Sequence, residues 1–410
     1  MIIQGEETLN YGNFMMLLNC IHYSAKALNY ECEFFVRLHS FKDEKRIKRE
    51  LDNKKIILKT FLKKEFIFQK KERNKVKNLF NKIFVFKCRL FDDLFLIKKI
   101  IQDNHIDKVF VLGGDNFNEG YKGWAISTNL FQIKIISMIT KVFLISQTIG
   151  PFYSWRKKFS KYCFKNVSIY CRDYGSVKYL KKEIGLRENI FSSSDLAFLD
   201  LPNQNKKNNQ EHLLKKNSYV TLVPSGLFGQ YCSSFNEYVG IWEQIIKEVL
   251  IKKELLSKKI LLLPHVLNED ELKIDDMTII KELKKRFREN ERVKVAKGVF
   301  YPSEARSILG NGFFTVTGRM HAAISSFQKG VPALSLSYSV KYSRIIGGKL
   351  GIKELVIEAN SLNKNTITKI VSERMSYLIR KRTKIISKIG REVGTAKKEI
   401  IGSINQINNS

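Results

Sequence analysis

The chain has 410 residues, 44% of them hydrophobic and 27% charged, which suits two cores of ordinary domain size and excludes a disordered chain. It has no run of 18 or more apolar residues and no basic-then-apolar leader in MIIQGEETLNYGN, so the expectation is a cytoplasmic protein, peripheral at the inner face of the membrane at most, neither spanning nor secreted. With 72 Lys and Arg against 40 Asp and Glu the net charge is +32, which favours an anionic partner: membrane phosphates, nucleic acid or a phosphorylated small molecule.

Residues 41–87 concentrate that charge, with 17 Lys and Arg against 6 Asp and Glu. Within them FLKKEFIFQKKERNKVKNLFNKIF interleaves Phe and Leu with lysine, as a helix on an anionic membrane surface does; the plainer alternative is a solvated basic face. KIFVFK (82–87), KVFVLGG (108–114) and VFLISQTIG (142–150) read as strands, and FDDLFLIKKIIQDNH, between the first two, has apolar residues at helical spacing. SIYCRDYGSVKYLKKEIG (168–185) repeats the unit, a strand ending at Arg172 and Asp173 and then a helix. PNQNKKNNQEHLLKKNS (202–218) is polar, lacks apolar periodicity and reads as a linker.

After it the alternation restarts. YVTLVPSG is a strand, FNEYVGIWEQIIKEVLIKKELL a helix, KKILLLPHV a strand and DDMTIIKELKKRF a helix; FFTVTG and VPALSLSY are strands flanking a helix that begins at RMHAAI. The pattern predicts an α/β fold of two Rossmann-like doubly wound domains, 1–201 and 219–410, facing a cleft, with C-terminal helices closing the second. Cys20, Cys32, Cys88, Cys163, Cys171 and Cys232 form no C-x-x-C pair, so no zinc or other metal site and no disulfide framework is expected, only buried thiols.

In doubly wound sheets ligands bind beyond the carboxyl ends of strands, and four turns there carry chemistry. In GGDNFNEG (113–120), Gly113 and Gly114 let the backbone turn and approach a ligand, while Asp115 and Glu119 supply carboxylates for acid or base work; the alternative is a plain turn, and no dinucleotide fingerprint or Walker lysine is present. SQTIGPF (146–152) breaks its strand at Gly150 and Pro151. LLLPHV (261–266) puts His265 just past a strand, as a donor to phosphate or sugar or as a satisfied surface histidine. In TVTGRMHAAI (315–324), Arg319 and His321 stand at a strand end and a helix N-terminus, where free N–H groups, the positive helix end and a planar guanidinium favour an anion; the weighed alternative is a structural carboxylate paired with Arg319. His321 can bind, donate a proton or both. The next strand ends in Ser337 and Tyr338, with Lys341 three residues on, a second cation near the first if the two strands are neighbours.

Taken in order, LNYGN, VLGGDN, SQTIGPF, YCRDYGSVKYL, SSSDLAFL, LLLPHV, TGRMHAAISS and GVPALSLSYSVKY make the chain resemble the polysaccharide pyruvyl transferase family over nearly its whole length. The resemblance implies a GT-B-like fold and transfer of the pyruvyl group of phosphoenolpyruvate onto two hydroxyls of a saccharide, forming a cyclic ketal and releasing phosphate, in cell-surface polysaccharide biosynthesis. It places donor contacts on Arg319 and His321. From this follow the expectations that Arg319, His321, Lys341, Ser337, Tyr338 and His265 hold the donor and that His321 or Asp115 moves protons. Asn10, Asn13, Gly113, Gly114, Asn116, Glu119 and Arg172 are expected to face the saccharide acceptor, and no cofactor is expected. Asn13 and Asp115 depart from the pattern common in the family. The rival readings are a sugar-nucleotide glycosyltransferase of the same architecture, the same fold without catalysis, and a nucleic-acid binder; the last lacks zinc-finger spacing, an RNP-type motif and a recognition helix, so no specific nucleic acid is expected.

Overall fold

Short runs such as KVFV, VFLIS, YVTLV and KILL carry apolar residues at nearly every position, the signature of parallel strands covered on both faces. In the computed structural model, which describes residues 1–4, 7–28, 30–62, 93–119, 123–204, 215–269, 274–298, 301–359 and 364–410, these runs build two parallel sheets. The first half supplies β1 (Ile2–Ile3), α1 (Tyr11–Leu28), β2 (Cys32–Leu38), α2 (Phe41–Leu51), β3 (Ile56–Leu62), α3 (93–103), β4 (Lys108–Val111), α4 (Gly123–Ile136), β5 (Lys141–Gln147), α5 (Trp155–Phe164), β6 (Val167–Cys171), α6 (Tyr174–Lys178) and β7 (Ile190–Ser192). The second half supplies β8 (Tyr219–Val223), α7 (Phe235–Ile251), β9 (Lys259–Leu262), α8 (Asp276–Arg286), β10 (Val293–Val295), α9 (Pro302–Asn311), β11 (Thr315–Thr317), α10 (Met320–Gln328), β12 (Ala333–Ser337), α11 (Val340–Tyr342), β13 (Val356–Glu358), α12 (Lys364–Arg380) and α13 (Arg382–Asn408).

The seven-stranded sheet runs β3-β2-β1-β4-β5-β6-β7 and the six-stranded sheet β10-β9-β8-β11-β12-β13, with every strand pair parallel. In each sheet the chain first winds one way and then returns to the other side of its first strand. The switch points therefore lie between β1 and β4 and between β8 and β11, and the crevices beyond their carboxyl ends are the ligand positions of such sheets. The turns after β4 and β11, those of GGDN and GRMH, open on these two crevices. β11 and β12 are direct neighbours, which meets the condition for bringing Lys341 towards Arg319.

Elements from both halves cross between the sheets. α13 buries Ile385, Ile389, Val393, Ala396, Ile400, Ile404 and Ile407 along one stripe, at the three- and four-residue spacing of an amphipathic helix, and packs on α1 and α10. Each fully buried isoleucine there stabilises by about 1.5–3 kcal/mol. Lys108 of the first sheet donates to the carbonyls of Ile407 (3.0 Å) and Asn408 (2.9 Å), closing the end of that helix. Arg306 of α9 is fully buried and has no carboxylate partner among the described residues; it donates to the carbonyls of Ala197 (2.6 Å) and Leu199 (2.7 Å) and to Gln204 (3.1 Å), and burial pushes its pKa down to about 10.

KIFVFK, the helical pattern of FLKKEF from Lys63 onward, Cys88 and the middle of the linker (205–214) lie outside the described residues; Phe61 and Leu62, which open that pattern, end strand β3 instead. Two arginines of the described part of the basic stretch face the second half of the chain: Arg46 and Arg49 of α2 lie over the ring of Tyr301 at 4.9 and 3.7 Å, and Arg49 pairs with Glu304 at 3.1 Å. Cys20, Cys32, Cys163 and Cys171 are buried free thiols, whereas Cys232 is only half-buried. Among the described residues no helix is long and apolar enough to cross a membrane.

Candidate functional site

The turn after β4 is shaped by what must fit against it. Gly113 has φ +141°, a conformation that side chains rarely adopt, and a Cβ there would lie 2.3 Å from the Asn116 amide nitrogen. A Cβ on Gly114 would lie 2.9 Å from Nη2 of Arg172. The paired glycines thus admit a guanidinium against the backbone and aim Asp115 at it.

Arg172, the first residue past β6, is 1% exposed. Its Nε donates to Oγ1 of Thr148 (2.9 Å), Nη1 to Oδ2 of Asp195 (2.7 Å) and Nη2 to Oδ1 of Asp115 (3.0 Å). Thr148 comes from SQTIGPF and Asp195 from SSSDLAFL. One buried cation therefore gathers three of the chain's motifs, and each carboxylate reaches across to the second half. Lys341 Nζ donates to Oδ2 of Asp115 at 2.7 Å and to the Tyr338 hydroxyl at 3.0 Å. His321 Nε2 lies 3.4 Å from Oδ2 of Asp195, within ion-pair distance but not aligned as a hydrogen bond. The Asp195 Oδ1 atom accepts the Ala197 N–H at 3.0 Å.

Electrostatics follow from this ladder. Burial acts to raise the pKa of Asp115, but Lys341 and Arg172 more than offset it and leave the carboxyl below its usual range. Asp195 is likewise raised by burial and brought down, well below the usual range, chiefly by His321 and Arg172. Burial works against the Arg172 charge, and Asp195 and Asp115 reverse that effect. The result is an alternating row, Lys341, Asp115, Arg172, Asp195, His321, in which the three central groups come from the first half and the two end groups from the second.

His321 stands in the first turn of α10, and its imidazole packs on Gly12 of LNYGN in α1: a Cβ on Gly12 would lie 2.1 Å from Nδ1, 2.5 Å from Cγ and 2.8 Å from the Cβ of His321. Gly12 is helical with no positive φ, so the glycine is there for space.

Arg319, N-cap of α10, has the structural carboxylate that the sequence reading weighed as the alternative to an anion. Its Nε and Nη2 donate to Asp276 Oδ1 at 3.0 and 2.6 Å, and Asp276 also accepts the backbone N–H groups of Gly226 (2.7 Å), His265 (3.0 Å) and Val266 (2.8 Å). Burial acts to lower the Arg319 pKa and Asp276 reverses it, holding the guanidinium charged. Among the described residues Nη1 of Arg319 makes no hydrogen bond, so one edge of the fork remains available. Beside it, the hydroxyls of Tyr231 (2.8 Å) and Tyr342 (2.7 Å) donate to the Gly318 carbonyl, and Tyr338 packs edge-on against both rings.

His265 is not a surface histidine; it is 1% exposed. Its carbonyl accepts the Tyr11 N–H (3.2 Å) and its ring meets that of Tyr11 edge-on at 5.5 Å. Burial pushes its pKa well below 6.5, with the charges of His321, Arg319 and Arg306 adding to the effect, so it sits neutral against the ionic row. The other candidates make contacts within their own neighbourhoods. Asn10 accepts the Asn13 N–H (3.5 Å) at the start of α1, Asn13 donates to Glu7 (3.0 Å), and Asn116 donates to Gln4 (3.2 Å). Glu119 pairs with Arg156 (3.1 Å) and accepts the Tyr153 N–H (2.8 Å). Ser337 donates to the Ser339 carbonyl (2.8 Å), forming a tight turn before Lys341.

Sequence reasoning did not single out Asp195, Asp276, Thr148, Gly12, Tyr231 or Tyr342. Asp195 and Asp276 both sit at helix starts, where a carboxylate reads as a cap.

Comparison with known proteins decides the family. The profile of polysaccharide pyruvyl transferases matches residues 10–340. The chain belongs to the polysaccharide pyruvyl transferase family. Of curated proteins, the amylovoran biosynthesis protein AmsJ of Erwinia amylovora is similar to this transferase-family chain, at 22% identity over 275 residues, 64% of this chain and 63% of AmsJ. The match thus spans less than two thirds of that relative's length. Solved structures with the same fold include the UDP-GlcNAc 2-epimerase of Neisseria meningitidis (TM-score 0.61, 11% identity, 97% of this chain and 96% of that one). UGT73P12 of Glycyrrhiza uralensis is another (TM-score 0.58, 9% identity, 98% and 96%). Both are GT-B-type proteins, and the architecture of this family member is GT-B-like.

Proposed function

We propose that this protein transfers the pyruvyl group of phosphoenolpyruvate to two hydroxyls of a saccharide, giving a cyclic ketal and inorganic phosphate, in cell-surface polysaccharide biosynthesis. The observation that carries the reading is the row from Lys341 to His321, which sets charged and proton-transferring groups of both halves facing one another. The donor has a carboxylate and a phosphate. The open Nη1 edge of Arg319, the Lys341 ammonium and the N–H groups opening α10 suit those anions.

The reaction needs a proton delivered to the methylene carbon and one removed from the attacking hydroxyl. The first sugar oxygen adds at the carbon bearing the phosphate. Phosphate then leaves with its bonding electron pair, and the second hydroxyl adds and loses its proton. In this scheme His321, steadied by Asp195 and Gly12, delivers the proton, and Asp115, held ionised by its two cations, receives one. Arg172 donates from each of its three nitrogens within the protein and acts as the frame. The saccharide lies on the side of the first sheet, beyond the GGDN turn.

A donor screen tests this: phosphate release from phosphoenolpyruvate, dependent on a saccharide, is expected. Nucleoside diphosphate released from a sugar nucleotide, with none from phosphoenolpyruvate, would instead support a glycosyltransferase on the fold shared with the UDP-GlcNAc 2-epimerase above.

A further inference from the structure

We infer that α5 and the turn before it form a docking face for an anionic lipid surface. The segment YSWRKKFSKYCFKN (153–166) contains five basic residues and no acidic one. One side of α5 buries Ser160, Cys163 and Phe164 against the neighbouring α4. The other side carries Trp155, Lys158, Tyr162 and Lys165, spaced by three, four and three residues, which places them on one helix face.

That face is open. Tyr153 is 57% exposed, Trp155 58%, Tyr162 60% and Met138, at the end of α4, 68%. Arg156 is committed to Glu119 and Lys157 to Glu183 (3.0 Å), whereas Lys158, Lys161 and Lys165 have no ion pair among the described residues. Lys134 lies 4.7 Å over the Tyr162 ring, adding a further cation at the edge of the patch.

Interleaved tryptophan, tyrosine and lysine suit the boundary of a bilayer, where amphipathic rings sit among headgroups and ammonium groups meet phosphates. A protein partner would have to desolvate three lysines at the centre of its contact, which interfaces avoid. A single-stranded nucleic acid is held in a groove, and this is the outward face of a helix. The patch is also tied to the candidate site: Tyr153 and Arg156 both hold Glu119, four residues after Asp115 in the same turn. A face seated on lipid would therefore set that turn beside the membrane surface.

The test is co-sedimentation of the full chain with vesicles of phosphatidylglycerol and phosphatidylcholine, compared with phosphatidylcholine alone. Binding only to the anionic vesicles is expected. Lys158→Glu/Lys161→Glu/Lys165→Glu should weaken it by about a hundredfold or more, and Trp155→Ala/Tyr162→Ala by about tenfold. These side chains are exposed, so the melting temperature should not change. Brominated phosphatidylglycerol should quench tryptophan emission in the wild type and much less in Trp155→Phe. No binding to anionic vesicles, binding that neither set of substitutions alters, or binding sensitive to charge but indifferent to Trp155 and Tyr162 would each overturn the proposal. The vesicle measurement reads no turnover, so it stands or falls separately from the donor assay.

Discussion

Replacing Gly12 with alanine adds one methyl group where the structure leaves no space for it. The new carbon would lie 2.1 Å from His321 Nδ1 and 2.5 Å from Cγ, against about 3.5 Å for ordinary contact, so the ring or the helix beneath it must move by roughly 1 Å. On its other side the imidazole faces Asp195 at 3.4 Å, and that distance has to change too. Misplacement of a reacting group by about 1 Å costs on the order of a hundredfold in rate. Stability should respond far less, because overpacking costs about 1–3 kcal/mol while alanine gains up to about 1 kcal/mol of helix propensity over glycine. The assay is phosphate release from phosphoenolpyruvate with a saccharide acceptor, alongside thermal unfolding of the same preparation. The expected pair is a rate lower by about a hundredfold in a chain that still unfolds cooperatively. The double variant Gly12→Ala/His321→Ala should be no slower than His321→Ala alone, since the two changes act through one ring. Turnover of Gly12→Ala within about twofold of wild type, or fully additive losses in the double variant, would refute the reasoning that Gly12 positions His321 for catalysis.

Three further outcomes are expected. His321→Ala should lose about 10²–10⁴-fold in turnover; a loss below roughly tenfold would make His321 a bystander in proton transfer. Arg319→Ala should abolish activity at ordinary phosphoenolpyruvate concentrations while the chain stays folded, because Asp276 keeps its three backbone N–H donors, and wild-type turnover would remove Arg319 from donor binding. Arg172→Met should destabilise by about 3–5 kcal/mol in urea unfolding at pH 7, as expected when a buried ion pair loses one partner. The folded-state pKa values of Asp115 and Asp195 are depressed, so their stabilisation is present above the unfolded carboxyl value near 3.9 and is lost as pH falls through the folded values. Without Arg172 those folded values rise, so the gap between wild type and variant should narrow as pH falls from 7 through the unfolded carboxyl value near 3.9, and a gap that does not change with pH would contradict the ionic account.

Which parts were legible in the sequence follows from how locally each is encoded. β4, β5, β6, β8, β9, β11 and β12 could be read because strands buried on both faces are continuous apolar runs, each followed by a polar or glycine turn. α1 was not recognised: YGNFMMLLNCIHYSAKAL has twelve buried residues on all sides, so it carries no amphipathic stripe. β2 and β3 lie towards the edge of their sheet, and β3 has no fully buried residue, which leaves a weak signal. Arg319, His321, Lys341 and Asp115 stood out because they are charged residues at strand ends. Their partners did not. Asp276 is 43 positions from Arg319 and doubles as the first residue of α8, and Asp195 caps its own short helical turn. Such pairings are made by the packing of two halves and leave no trace in local spacing.

The paired charges also bear on how the proposed anionic donor would bind. Arg172, Lys341 and Arg319 face Asp115, Asp195 and Asp276, so these charges are matched three against three and the proposed donor would share cations already in use. Arg172 cannot be lent, being 1% exposed with each of its three nitrogens bonded within the protein. Lys341 can: its side chain is 13% exposed, and an ammonium on a flexible stem turns towards a new anion without losing geometry. When Lys341 turns to the donor, Asp115 keeps Arg172 and loses its second cation, and a carboxylate that loses an adjacent cation gains proton affinity. The base would thus strengthen as the donor arrives. The acid limb of kcat/KM reports the free enzyme and that of kcat the loaded one, so the limb assigned to Asp115 should lie at higher pH in kcat than in kcat/KM. In Lys341→Gln the two limbs should coincide, because no cation remains to be transferred. Coincident limbs in the wild-type enzyme would show that Lys341 stays on Asp115 throughout, and the anion would then have to be held by Arg319 and the opening turn of α10 alone.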